Sequence, residues 1–128
     1  MQVAVLLLIA GTILGALWRD VVWGSFWSWD RKEVWSLISI MAYVVILHGR
    51  SARWFGNFGL AVGSVVGFTA IVMTWYGLNY VLPGGLHTYG KGEGGILYVG
   101  IAVLCNWLFL GAAIVRFNIK TRRAAEGL

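Results

Sequence analysis

Residues 18–35 read Trp18-Arg19-Asp20-Val21-Val22-Trp23-Gly24-Ser25-Phe26-Trp27-Ser28-Trp29-Asp30-Arg31-Lys32-Glu33-Val34-Trp35. The stretch holds five of the eight tryptophans in the chain. It also holds Arg19, Asp20, Asp30, Arg31, Lys32 and Glu33, more than a third of the charged side chains. The sequence on both sides is apolar. A dense aromatic strip with a few charges, set between two oily segments, reads as the boundary of a membrane, because a Trp ring is apolar while its N–H seeks a polar partner.

The rest of the composition agrees. Hydrophobic residues make up 59% of the 128 residues and charged ones 12%, about half the charged share of an ordinary globular domain. The long segments are apolar on all sides, so a soluble bundle, whose helices need a polar face, is excluded. The expected fold is an all-α integral membrane protein. Four transmembrane helices, at about 3–18, 31–48, 58–79 and 96–116, form one membrane domain over residues 1–128. The Trp-rich segment joins the first two. The formal charge of +5 does not point to nucleic acid, since the basic residues cluster at the ends of apolar runs. Cys105 is the only cysteine, which rules out an internal disulfide or a thiol pair. The first residues lack the basic start and the cleavage site of a signal peptide, so they read as a retained helix.

Local signals divide the chain further. Gly11 and Gly15 form one GxxxG pair in the first helix, a weak packing signal. Asp30 is placed to cap the second helix, with Glu33 three residues on to close a capping box. These two acids therefore read as caps rather than as an acid/base pair. Gly59, Gly63 and Gly67 recur every four residues in the third helix and predict a helix-packing seam. Pro83-Gly84-Gly85 ends that helix, and a glycine-rich loop carrying His87, Tyr89, Lys91 and Glu93 follows. Four spans put Arg50, Arg53, Arg116, Lys120, Arg122, Arg123 and Glu126 on one side, for a net +5. The Trp-rich segment and the His87 loop lie on the other side, with no net charge. The positive-inside tendency then assigns the C-terminus to the cytoplasm or stroma and the Trp-rich segment to the opposite face.

Trp18, Trp54 and Trp75 are accounted for by an interfacial aromatic belt. Trp23, Trp27 and Trp29 are more crowded, with small residues between them. Their faces suit a flat apolar ligand that needs close approach. His48 and His87 are the only histidines, and neutral imidazole is a common metal ligand. The third helix separates them, so they lie near opposite faces of a layer roughly 30 Å thick and cannot ligate one iron together. They imply two sites, each missing a partner. The chain has no Walker loop, dinucleotide fingerprint, HExxH zinc spacing or GxSxG elbow. Two other functional classes stay open on these grounds: a membrane scaffold subunit with interfacial tryptophans, and a transporter fragment with His48 on its path.

Trp23-Gly24-Ser25-Phe26-Trp27-Ser28-Trp29-Asp30-Arg31-Lys32-Glu33-Val34-Trp35-Ser36-Leu37-Ile38 resembles the WWD signature, WGxxWxWDPKExWxLI, of heme-handling membrane proteins. The Lys-Glu pair after Asp30 is closest to the CcsA (ResC) branch of System II cytochrome c biogenesis. His48 in its Leu-His-Gly-Arg setting, and the run from Gly77 through Asn79, Gly85, His87 and Tyr89 to Gly90, resemble further segments of that family. The likeness covers nearly the whole chain.

The resemblance implies heme binding and delivery for covalent attachment to apocytochrome c, as a component of a cytochrome c synthase that is incomplete alone. Trp23, Gly24, Trp27, Trp29 and Asp30 would hold heme b at the outer face, with His87 as an axial ligand of its iron. His48 would ligate heme at an inner, intramembrane site. Implied partners are heme, the CxxCH motif of an apocytochrome and a CcsB/ResB-like membrane protein. Two departures stand out. Arg31 replaces the family's Pro at the first helical position, where Pro is favoured but dispensable. The family's extracytoplasmic histidine upstream of the WWD segment has no counterpart here.

Overall fold

The structure is a computed structural model that describes residues 1–81 and 95–127. It divides into two compact units, Met1–Gly94 and Gly95–Leu128. His87, Pro83 and the rest of the predicted glycine-rich loop lie outside the described residues.

The first unit contains three helices: α1 (Gln2–Trp23), α2 (Arg31–Ser51) and α3 (Asn57–Tyr80). The second contains α4 (Ile96–Ala125). All four are long and apolar enough to cross a membrane, with mean hydropathies of 1.4 to 2.1. No strand occurs among the described residues. Leu6, Leu7, Leu14, Met41, Val45 and Phe68 are exposed on the helices of the first unit, as lipid-facing side chains must be when the surrounding solvent is itself apolar.

α1 outruns the expected end near residue 18 by about one and a half turns. Arg19 and Asp20 look like a boundary in the sequence, but Arg19 is only 5% exposed and has an ion-pair partner on α2, so its charge does not stop the helix. Gly24 does. It takes a left-handed conformation at φ 68°, and its N–H donates to the Asp20 carbonyl at 2.8 Å, a backbone cap that glycine adopts without steric cost. α4 likewise runs beyond 116, to Ala125, carrying Arg116, Lys120, Arg122 and Arg123 on helical backbone.

The predicted glycine seam of α3 is the contact with α2. A Cβ on Gly67 would lie 3.1 Å from Cζ of Tyr43, and one on Gly63 would lie 2.9 Å from Cγ2 of Ile46. The Tyr43 hydroxyl crosses the seam to donate to the Ser64 carbonyl at 3.2 Å. Nearer the other end of α2, the Ser39 and Thr74 hydroxyls meet at 3.1 Å. The α2–α3 turn is closed by Trp54 N–H on the Gly49 carbonyl at 2.9 Å and by Arg50 on the Asn57 side chain at 2.6 Å. α3 also contains a π-helical stretch, Met73–Gly77. Such widened turns are short and often mark functional regions.

Candidate functional site

Two short turns and a bend place the tryptophans. Trp18 and Trp23 sit in the last part of α1 with their rings edge to face, 6.2 Å between centroids. The chain turns at Gly24 and runs irregularly to Asp30, where α2 begins. Within that bend Trp27 and Trp29 meet edge to face at 6.1 Å and 87°. This perpendicular arrangement is favoured by the ring quadrupole. Trp29 is 71% exposed and holds a left-handed backbone, φ 59°, which is uncommon for a bulky residue.

One carboxylate braces the bend. Asp30 and Glu33 form the predicted capping box. Glu33 Oε2 accepts from the backbone N–H of Asp30 at 3.2 Å and also from that of Ser28 at 2.9 Å. Its other oxygen, Oε1, forms a part-buried ion pair with Arg19 of α1. Arg19 in turn lies over the Trp23 ring, 5.6 Å from its centroid, within reach of a cation–π attraction. Glu33 thus holds the cap of α2, the middle of the bend and the end of α1 together. Sequence reasoning assigned Glu33 only its cap and gave Arg19 no partner.

Below the bend lies a cavity of about 400 Å³ between α1 and α2. Gly11 and Gly15 line it, with Trp18, Arg19, Trp27 and Glu33 at its upper end. Neither glycine has a side-chain neighbour within 4 Å of where a Cβ would stand. Among the described residues, then, the GxxxG pair faces space rather than a helix.

His48 stands apart. It lies one turn from the far end of α2, 17 residues beyond Arg31, about 25 Å away at 1.5 Å per residue. Its Nδ1 is 2.9 Å from the Val44 carbonyl. A carbonyl can only accept, so Nδ1 carries a proton, and Nε2 is the ring nitrogen left to face a metal. The structure therefore brings Trp23, Gly24, Trp27, Trp29 and Asp30 into one region and leaves His48 at the opposite end of the unit. His87 lies outside the described residues. No group of three or more His, Cys, Asp or Glu side chains suited to a metal occurs among the described residues. Chemically, the region offers stacking faces and a buried cation, while both of its acids are engaged in capping.

Residues 1–87 match the model of the cytochrome c assembly protein family. The chain belongs to that family. Among its relatives, CcsA, the cytochrome c biogenesis protein of Prochlorococcus marinus (strain MIT 9303), is 46% identical over 88 residues, 69% of this chain and 27% of that protein. CcsA of Gloeobacter violaceus is 43% identical over 84 residues, 66% of this chain and 25% of its own. Protein NrfI of Wolinella succinogenes is 43% identical over 88 residues, 68% of this chain and 10% of its own. The chain therefore spans about a quarter or less of the length of these relatives. The matched residues contain the whole Trp-rich bend, Glu33, Arg19 and His48.

Proposed function

We propose that this chain works in cytochrome c biogenesis as a membrane heme-handling unit, binding heme on the Trp-rich bend and presenting it to the CxxCH motif of an apocytochrome. The observation that carries the reading is the Trp27–Trp29 pair: two perpendicular indoles on an irregular bend whose geometry one carboxylate fixes. A heme macrocycle is flat, largely apolar and fits such faces. The two sulfur nucleophiles come from the apocytochrome, so the protein's part is to hold the ring and orient its vinyl edge. Membership of the family and its CcsA relatives support the same reading.

On this reading His87 belongs to this outer site as an axial ligand and His48, whose Nδ1 is engaged by the Val44 carbonyl, to a second site at the inner end of α2. A CcsB/ResB-like membrane partner completes the ligand set. The charge balance supports an orientation with the C-terminus in the cytoplasm or stroma and the bend on the opposite face.

Heme titration of the protein purified with its membrane partner tests this. A Soret band should appear, and it should weaken in Trp27→Ala/Trp29→Ala and in His87→Ala. A spectrum unchanged by the tryptophan substitutions would overturn the stacking role. No band at all would leave the tryptophans as interfacial anchors of a scaffold.

A further inference from the structure

The end of α4 is built unlike the rest of it. Ile96 to Val115 carry no charged side chain, and at 1.5 Å per residue they cover about 30 Å, the thickness of a hydrocarbon core. The helix nevertheless continues to Ala125, about 15 Å past that length. Arg116, Lys120 and Arg123 stand in this continuation at spacings of four and three, which puts them on one helix face. Arg122 falls on a different side. All four cations are exposed, α4 contains no acidic residue, and none of the four has an ion-pair partner among the described residues. Like charges one helical turn apart repel and cost stability, so this face holds positive charge that a group from outside the helix can neutralise. Arg116, Lys120 and Arg123 also border a shallow groove of about 440 Å³, which Ile119 and Ala124 line with apolar atoms.

We infer that this face binds the headgroup of an anionic phospholipid, with the phosphate at Arg116, Lys120 and Arg123 and the acyl chains along the apolar turns of the same helix. Three observations favour that occupant. The cations begin where the apolar length ends, which is the depth of the lipid phosphates, and basic side chains next to a span attract anionic lipid there. Two of the three are arginines, whose planar guanidinium can meet two phosphate oxygens at once. The face also continues into the membrane: Ala112 and Phe109 lie four and seven residues before Arg116, on the same side and exposed. A free phosphate would satisfy the cations alone, whereas a phospholipid satisfies the cations and the apolar surface beside them. The contact fixes the depth of α4 in the bilayer, and it stands whether or not the bend binds heme.

The test reconstitutes the full chain into vesicles of equal parts phosphatidylglycerol and phosphatidylcholine, extracts it in mild detergent and identifies the retained lipid by native mass spectrometry. Unmodified protein should retain the anionic lipid over the neutral one by about fivefold or more, the worth of a single cation near a membrane surface. Arg116→Gln/Lys120→Gln/Arg123→Gln removes the charge with residues of similar helix propensity, and it should retain the two lipids about equally. Arg122→Gln should keep most of the preference. Equal retention by the unmodified protein overturns the site without reliance on any variant. A preference that survives the triple substitution also overturns it and assigns the effect to other cations such as Arg50 and Arg53. A preference abolished by millimolar inorganic phosphate overturns the lipid as occupant and leaves a site for a free anion.

Discussion

Arg19 near the end of α1 and Glu33 in the first turn of α2 form a part-buried ion pair across the bend that separates their helices. They stand fourteen positions apart in sequence. The pair converts a flexible connection into a fixed one. The carboxylate that it neutralises also caps α2 and ties down Ser28, next to both bend tryptophans.

Removing Glu33 should be far worse than removing the pair. Glu33→Ala leaves Arg19 charged and buried, which costs about 3 kcal/mol or more. The double variant Arg19→Gln/Glu33→Gln leaves no stranded charge and should unfold closer to the unmodified protein. Thermal unfolding in detergent gives the order. A double variant less stable than Glu33→Ala would show that the pair contributes through something other than charge.

Asp30 supplies the other half of the capping box. Asp30→Ala should cost about 1 kcal/mol, whereas Asp30→Asn, which still accepts a hydrogen bond, should cost a few tenths. Equal losses in the two variants would assign the effect to the charge of Asp30 and not to its cap.

The two glycine seams should respond differently. Gly67 meets the Tyr43 ring, where a Cβ would have 3.1 Å. Gly67→Val should therefore destabilise the α2–α3 contact by about 1–3 kcal/mol. Gly15 faces the cavity, so Gly15→Val should leave stability within about 0.5 kcal/mol yet weaken heme binding by narrowing that space. A Gly15 variant that unfolds early would mean the seam is already filled.

His48 is exposed and lies at the far end of α2 from the bend. His48→Ala should reduce heme bound per protein by metal analysis. It should leave the loss of heme caused by Trp27→Ala/Trp29→Ala unchanged. Loss of that tryptophan dependence would contradict two separate sites.

Much of this arrangement was legible in the sequence, for physical reasons that can be named. Four spans follow from uninterrupted apolar length, and the capping box follows from Asp30 and Glu33 three residues apart. The seam of α3 follows from glycines four residues apart, which share one helix face. The extension of α1 to Trp23 was hidden because Arg19 and Asp20 interrupt the apolar run, and only the tertiary partner explains why a charge is tolerated there. The Arg19–Glu33 pair crosses a bend, where no periodicity applies. Opposite charges flanking an aromatic bend were its only signal. The π-helical turn at Met73–Gly77 had no signal at all.

Trp29 holds a backbone conformation that glycine would hold at lower cost. Selection for a sturdier fold alone would favour glycine at this position, and the bend would relax without strain. This chain carries an indole there instead. Position 29 is therefore a place where the protein gives up stability for a surface, and screens that rank variants by folding yield would enrich the replacements that silence it.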